Sequence, residues 1–589
     1  MEVAMFKALQ FFFHYGWRYD KTYVIEKILL QLCNSFVPLV AAVFPKLVID
    51  ELQEAQRADR LVLYILLLSG YMLLANTLSA FLSKDSFSHR LNVDAKFGQE
   101  LHKMQARADY STLESPEYLD LKRKAEKFIT CDYHGFGYLL DCALDISGIC
   151  ITLISFIAIL FMLDGYMILI FAATATLGGI AEFRAKKKAN SLYDRVIAAQ
   201  RGWMYYSGLF GDYQYGKEIR INRLTSWLLG REKQYLEEAI SLMKRQNGYY
   251  IRSGIFGAAC TFIQQIASYI WLSVAVIQTR IGIGDFAMYI AAVTAFGAAI
   301  RQAMNDLVEI RSYDRYFSDV ERYLHLPATL RQGKQQTVSP GLHTITFSDV
   351  SFRYPGQDVW ALRHINLTLH PGEKLSIVGE NGSGKSTLVK LLVRLYDVTE
   401  GEILLDGTDI RAYDLDIYMS LFGTVFQDFQ LFSFSLRDNI SFGRPCTDND
   451  IWTLINKSGL RDRTESLPRG IDTYINRQFD EHGFEPSGGE AQKIALARAL
   501  CQEAPIVILD EPTAALDPRA EYDLYMRFAM LTEGKNAIFI SHRLSSAQFC
   551  DRIVVLSGGE IVEYGAHDDL VRQNGLYAEL YNLQSQFYK

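Results

Sequence analysis

Apolar residues fall into two regimes along the chain. Up to about residue 310 they form long runs, and beyond about residue 340 they form short runs separated by turn signals. A bilayer core needs about 20 mostly apolar residues in helix. Six stretches meet that need: Ile28–Ile49, Leu61–Ser83, Phe136–Leu163, Gly165–Ala181, Gly254–Gln278 and Ile281–Ile300. Leu61–Ser83 carries no charge, and Phe136–Leu163 is fully apolar only after Asp145. One such stretch alone reads equally as a buried core helix; six in succession predict a membrane domain. Ahead of them, Phe6–Trp17 has the amphipathic, aromatic-rich pattern of a surface helix, and the segment lacks the charged-then-apolar-then-small order of a secretion signal.

Past residue 340 the pattern is that of an α/β protein. Ile345–Val350 and Leu362–Leu369 read as strands around a turn at Tyr354, Pro355 and Gly356. Leu375–Val378 is a strand ending at Gly379, and a helix starts near Lys385 and runs through Leu388, Val389, Leu391 and Leu392. Ile403–Leu405 followed by Asp406 and Gly407 is a hairpin signal, and the patterning over Asp448–Arg498 is helical. Ile506–Asp510 is an apolar run that ends in the carboxylate pair Asp510-Glu511, and Ala537–Ile540 is a second apolar run, as in strands buried on both faces of a sheet. Ile553–Leu556 and Glu560–Glu563 close with a hairpin. Between the regimes, Tyr316–Thr337 is polar, contains Pro327 and Gly333, and has no apolar period. The reading is a membrane domain over 1–315, a linker over 316–340 and an α/β domain over 341–589.

Composition adds exclusions. The 589 residues exceed one domain, and the net charge of −7 gives no general case for nucleic-acid binding. The cysteines (Cys33, Cys131, Cys142, Cys150, Cys260, Cys446, Cys501 and Cys550) form no C-x-x-C pair and read as small buried hydrophobes. Basic residues concentrate between the second and third apolar stretches, from Lys84 to Lys127, and between the fourth and fifth, from Arg184 to Arg245. The connection between the third and fourth stretches holds Asp164 as its charge, and that between the fifth and sixth holds Arg280. The positive-inside rule then puts both termini in the cytoplasm. The basic segments keep a helical pattern, so the helices are expected to run on past the bilayer. Gln31, Asn34, Asn76, Gln264, Gln265, Asn305 and Asp306 are the polar groups in or just past the spans; they serve a substrate path or join helices.

The chemistry centres on Gly379, Glu380, Asn381, Gly382, Ser383, Gly384, Lys385, Ser386 and Thr387, which fit G-x-x-x-x-G-K-[ST] between a strand and a helix. Glycines let such a loop turn its N–H groups inward as a nest for anionic oxygens, and the helix N-terminus adds positive partial charge. Lys385 then reaches β- and γ-phosphates, and the Ser386 hydroxyl is a Mg²⁺ ligand. Two later strands end in Asp510-Glu511 and Ser541-His542, at the sheet edge where ligands bind. There Asp510 suits Mg²⁺, Glu511 a general base for water, and His542 a hydrogen bond to the γ-phosphate.

These elements, in this order, resemble the nucleotide-binding domain of ATP-binding cassette transporters. The whole chain resembles an exporter-type half-transporter, a six-helix membrane domain fused to one cassette. The resemblance implies that Tyr354 stacks on adenine, that Gly379–Thr387 is the Walker A loop, and that Gln427 is the Q-loop glutamine near Mg²⁺. It implies a signature at Pro486–Glu490 whose Ser487, Gly488 and Gly489 face the γ-phosphate of a partner chain's ATP. Glu481 matches the glutamate that meets the intracellular loops, Asp510-Glu511 matches Walker B, Asp517 lies in the D-loop, and His542 is the switch histidine. Pro486 and Glu490 depart from the usual Leu and Gln of the signature.

The resemblance further implies a dimer with two ATP molecules between cassettes, either a homodimer or, by a slight lean from the altered signature, a heterodimer. Coupling segments are expected near Ser115–Leu119 and Tyr213–Lys217. The expected function is ATP-driven export of an amphipathic small molecule, lipid or peptide across a bacterial plasma membrane. Import on the same fold, or an ATP-gated channel, are the alternatives.

Overall fold

A computed structural model describes residues 2–53, 56–115, 117–122, 125, 136–160, 165–312, 314–510, 526–528, 530–541, 544 and 547–586. The chain forms two compact units. One comprises Met1–Ala106 with Pro116–His325, and the other Arg107–Ser115 with Leu326–Lys589.

The first unit is helical. Asp20 caps the helix Lys21–Gln53 by accepting the Tyr23 N–H at 3.1 Å. Ala58–Arg107 has 50 residues and Thr225–Ile277 has 53. At 1.5 Å per residue each spans roughly 75–80 Å, well over twice a bilayer core. Both therefore continue far beyond any membrane they cross. Among the described residues five helices are long and apolar enough to cross one: Lys21–Gln53, Ala58–Arg107, Phe136–Ile159, Thr225–Ile277 and Ile283–Leu307. The helix Gly165–Asn190 has a shorter apolar part, because Glu182, Arg184 and Lys186 follow Ala181.

Apolar side chains such as Leu73, Leu74, Phe81, Ile255 and Ile270 are exposed on these helices, a pattern suited to lipid rather than water. A buried cluster of Ala42, Phe156, Leu272, Met288, Tyr289, Ala292 and Val293 joins the helices internally. Three of the amides singled out in the spans join helices as well. Gln31 donates to Asp145, Asn34 accepts from Ser79 at 3.0 Å, and Gln264 accepts from Thr174 at 3.3 Å. The aromatic N-terminal helix Glu2–Tyr19 is surface-bound on one side only. Phe12 is buried and Phe11 packs edge-on against Phe97, Phe136 and Phe317, while Phe13 and Trp17 stack in the open.

Among the described residues the second unit holds ten strands in two sheets. β1 (Ile345–Phe352), β2 (Leu362–Leu369), β4 (Glu400–Leu405) and β5 (Thr408–Asp409) form an antiparallel sheet ordered β2-β1-β4-β5. The larger sheet is ordered β10-β9-β3-β8-β7-β6, from Glu560–Gly565, Arg552–Ser557, Lys374–Gly379, Asn536–Ile540, Ile506–Asp510 and Phe422–Val425. All its pairs are parallel except β10–β9. β7 and β8 are buried at every position, which accounts for their unbroken apolar sequence. Side chains from both sheets and from the helix Lys385–Leu392 share one core.

Four readings change on the structure. The supposed linker begins as a helix, Asp314–Leu324, because Phe317, Val320 and Tyr323 at every third position are buried. Asp448–Arg498 is not continuously helical: helices at Asp448–Ser458 and Arg461–Glu465 are separated from Gly488–Cys501 by a loop held in part through Ile475–Phe484 pairing. Phe422–Val425 is a strand that four residues alone did not reveal. Cys150 is exposed rather than buried, whereas Cys142 and Cys550 are buried as expected; Cys131 lies outside the described residues.

Arg394 is one of the largest fully buried side chains. Its guanidinium donates to the carbonyls of Ile410 and Tyr413, each at 3.1 Å, and to Asp397 at 3.1 Å. Arg394→Met keeps apolar bulk, strands the Tyr413 carbonyl and leaves the Ile410 carbonyl to the Tyr413 N–H at 3.3 Å, at about 1–3 kcal/mol for a buried group left unpaired. The expected result is a fall of several degrees in the thermal midpoint of the purified protein. An unchanged midpoint would show that the Tyr413 carbonyl finds another donor.

Candidate nucleotide site

The phosphate loop is shaped by two close backbone passages. At Gly379 φ is +151°, and an added Cβ would strike the Leu556 carbonyl on the neighbouring β9. At Gly384 φ is +104°, and a Cβ would lie 2.9 Å from the Ala361 carbonyl. Only glycine fits either place. The helix Lys385–Leu392 starts directly after Gly384, so its free N–H groups point at the loop's concavity. Lys385 is 4% exposed, and its ammonium donates to the carbonyls of Gly379 and Glu380 at 3.0 Å each. The Ser383 hydroxyl is buried within the loop and has no hydrogen-bond partner.

Tyr354, Asn381, Gly382, Gly384, Lys385, Ser386, Thr387 and Gln427 line a single cavity of about 960 Å³. Gln357, Val359, Trp360, Ala361, Gly558 and Gly559 complete its wall, and the motifs in the sequence single out none of them. Trp360 follows the Tyr354 turn closely and is held under the Arg353 guanidinium, 5.0 Å from the ring centroid. Gly379, Glu380 and Ser383 form the stem of the loop rather than the wall. The Tyr354 hydroxyl lies 3.0 Å from Thr387 Oγ1, which ties the aromatic to the loop.

Strand register places Asp510. It pairs with Ile540 on β8, and Ile540 pairs with Ile377, two residues before Gly379 on β3. Asp510 thus ends its strand level with the start of the phosphate loop, and it is 4% exposed. Val425 pairs with Leu509, so Gln427 leaves β6 at the same edge. A hydroxyl, an amide oxygen and a carboxylate from Ser386, Gln427 and Asp510 make a hard oxygen donor set, which fits Mg²⁺. Glu511, Asp517 and His542 lie outside the described residues.

Ser487, Gly488 and Gly489 are not in the cavity wall. They begin the helix Gly488–Cys501, with Ser487 as N-cap. Glu490 closes a capping box: its Oε2 accepts the Ser487 N–H at 2.7 Å, and the Ser487 hydroxyl accepts the Glu490 N–H at 3.4 Å. Arg463 pairs with its other oxygen at 2.9 Å. Partial burial pushes the Glu490 carboxyl up, but the Ser487 hydrogen bonds and the positive Arg463 and Lys493 outweigh it and hold the group below the ordinary range. The unusual residue is thus a neutralised helix cap. Deeper in this subdomain Arg498 stacks on Phe442 at 4.2 Å, and burial pushes its guanidinium down to about 10. Glu481 sits exposed in the turn before the signature.

The second unit also contains a short helix, Tyr110–Leu113, upstream of the Ser115–Leu119 tip expected from sequence. The Lys390 ammonium lies over three rings, 5.9 Å from Tyr110, 5.6 Å from Tyr354 and 5.9 Å from Tyr396. Tyr396 donates to Glu114, and burial together with that carboxylate pushes the Tyr396 phenol up. Asp109 is buried and accepts from the Thr329 N–H at 2.8 Å, the Thr329 hydroxyl at 2.7 Å and the Leu330 N–H at 3.1 Å. The second expected tip, Tyr213–Lys217, forms a 3₁₀ turn and the start of the helix Gly216–Ile221, with Tyr213 and Ile221 about four-fifths exposed.

A phosphate loop at the carboxyl edge of a parallel sheet, in one chain with several long apolar helices, defines a membrane-bound nucleotide-binding protein. Known proteins narrow this. The ABC transporter family matches residues 362–514. The chain is 28% identical over 580 residues to the subtilin transport ATP-binding protein SpaT of Bacillus subtilis, covering 95% of this chain and 91% of that one. It is 33% identical over 445 residues to the ATP-dependent lipid A-core flippase of Alkalilimnicola ehrlichii, covering 74% and 73%. The fold is similar to that of a bacterial Atm1-family ABC exporter with ATP bound, with a TM-score of 0.80 at 22% identity, covering 96% of this chain and 98% of the other. The chain belongs to the ABC transporter family and has its exporter-type fold.

The cap makes a signed prediction. Glu490→Ala removes the acceptor of the Ser487 N–H and the Arg463 pair but keeps the backbone bond to the Ser487 hydroxyl, at about 0.5–2 kcal/mol for a weakened cap, whereas Glu490→Gln keeps the hydrogen bonds and should cost less. Because the Glu490 pKa is depressed in the folded state, its contribution is complete above the ordinary glutamate value of about 4.3 and is lost as pH falls through the lowered value. Unfolding midpoints of wild type and Glu490→Ala should therefore differ at pH 7 and draw together in acid. A difference that grows in acid would refute the assignment.

Proposed function

We propose that this chain is one half of an ATP-driven exporter that moves an amphipathic lipid or peptide across the plasma membrane, with both termini and the cassette in the cytoplasm. The observation that carries this is the joining, in one chain, of a cavity walled by Tyr354, Lys385, Ser386 and Gln427 to five helices able to cross a membrane. Two relatives are named for transport of subtilin and of lipid A-core, which supports export and leaves the substrate class broad.

In this reading Tyr354 receives the adenine, and Lys385 with the N–H groups of residues 380–387 holds the β- and γ-phosphates. Ser386, Gln427 and Asp510 would hold Mg²⁺, which when bound neutralises charge developing on the phosphate oxygens. Glu511 takes the proton of the attacking water. His542 hydrogen-bonds the γ-phosphate. Ser487, Gly488 and Gly489, with Asp517 of the D-loop, complete the partner's site across a dimer. Binding favours the closed cassette pair and hydrolysis releases it, a two-state shift through differential contacts. The segments near Ser115–Leu119 and Tyr213–Lys217 are the elements that carry the shift to the membrane helices.

The case for a different partner chain rested on the altered signature. Glu490 is neutralised by its cap and by Arg463, so Ser487, Gly488 and Gly489 remain presentable, and a two-fold dimer of this chain is the arrangement proposed. Expressed alone, the chain should form dimers with steady ATPase activity. Activity only with a second, similar chain would reverse that reading. Glu511→Gln should bind ATP and lose about 10²–10⁴-fold in hydrolysis. Near-normal turnover in that variant would remove Glu511 from the role of base.

A further inference from the structure

A second constellation with ligand chemistry lies in the first unit, away from the nucleotide cavity. Asp85 and His89 are four residues apart on the helix Ala58–Arg107 and so share a face. Glu26, on the helix Lys21–Gln53, meets them, and one ligand atom from each of the three lies within 4.8 Å of the others. His89 Nε2 is 3.9 Å from Glu26 Oε2. That gap is too wide for a hydrogen bond and about 0.5 Å more than the roughly 3.3–3.4 Å between two ligand atoms on one tetrahedral zinc with bonds of about 2.0–2.1 Å, a difference that side-chain rotation can close. Glu26 Oε2 is buried and accepts no hydrogen bond from the described residues.

The other imidazole nitrogen is already engaged. His89 Nδ1 lies 2.8 Å from Asp20 Oδ2. Asp20 is itself fixed, because its Oδ1 accepts the Tyr23 N–H and its Oδ2 accepts the Asn92 amide at 3.1 Å. A carboxylate holding one imidazole nitrogen while the other faces outward is the outer arrangement typical of metal-ligating histidines. An ordinary His–Glu ion pair would close the gap; here it stays open, with a buried oxygen on its far side.

We propose that Glu26, Asp85 and His89 bind a divalent cation of the zinc class, with Asp20 orienting the imidazole. A nitrogen with two carboxylates favours such an ion over Mg²⁺ or Ca²⁺, which take oxygen ligands. Asp85 is exposed, which leaves room for water to complete the coordination. Glu26 lies two residues before the apolar stretch Ile28–Ile49, and Asp85 two residues after Leu61–Ser83. The ion would therefore pin the first two membrane helices together at one end.

The test uses the purified full-length chain, stripped with a chelator and titrated with Zn²⁺ alone, without nucleotide or Mg²⁺. One tight ion per chain is expected, weakened at least about tenfold in His89→Ala and in Asp85→Asn, the scale on which even outer-shell changes act. Co²⁺ in its place should give ligand-field absorption that His89→Ala abolishes. Asp85 is exposed, so Asp85→Asn is a variant expected to fold, and retained ATP binding in each variant confirms folding. Absence of tight binding in wild type overturns the proposal. So does binding unchanged in both folded variants, which would move the ion to Cys446 and Cys501, whose sulfurs are 3.4 Å apart.

Discussion

Everything in the cassette depends on how closely β3 and β9 run where the phosphate loop begins. The Leu556 carbonyl occupies the space that a side chain at residue 379 would need. Because the passage is that tight, the loop leaves the sheet with a positive φ, and the following helix is aimed end-on at the cavity. The parallel partners of β3 then decide which residues share that edge. β8 and β7 bring Asp510 level with the loop, and β6 brings Gln427. A shift of one residue in either register would turn Asp510 to the other face of the sheet.

Electrostatics around this edge is arranged in compensated pairs. Lys385 is nearly inaccessible and engages the loop's own carbonyls, so its charge is held within the loop. The carboxylate of Glu490, at the start of the signature helix, meets the local N–H groups and Arg463. Anionic side chains favour helix N-termini, which explains why an acid is tolerated at that position.

Much of this was legible in the residues because it is local. The phosphate loop is nine consecutive residues, and β7 and β8 are unbroken apolar runs whose burial follows from their composition. What escaped was either too short or too distant. Phe422–Val425 has four residues and no alternation. The Asp314–Leu324 helix hides its stripe of Phe317, Val320 and Tyr323 among charged residues. The loop across 473–487 was read as helix because flanking helical periods bracket it. Trp360, the Lys390 aromatic cluster and the Glu26–Asp85–His89 group are set by contacts between elements, which no local pattern encodes. The altered signature gives a slight lean to a heterodimer in the sequence because the cap of Glu490 and its Arg463 partner are visible only in three dimensions.

Asp109 shows that the cassette is not a contiguous stretch of chain. Its carboxylate meets two N–H groups and a hydroxyl at Thr329 and Leu330, more than two hundred residues later. An excised fragment starting at Leu326 would keep Thr329 and Leu330 but lose their acceptor, and Lys390 would lose both Tyr110 and Glu114. Such a fragment would be a cassette with a torn seam, and its stability and nucleotide affinity would describe a different molecule from the one the whole chain folds into.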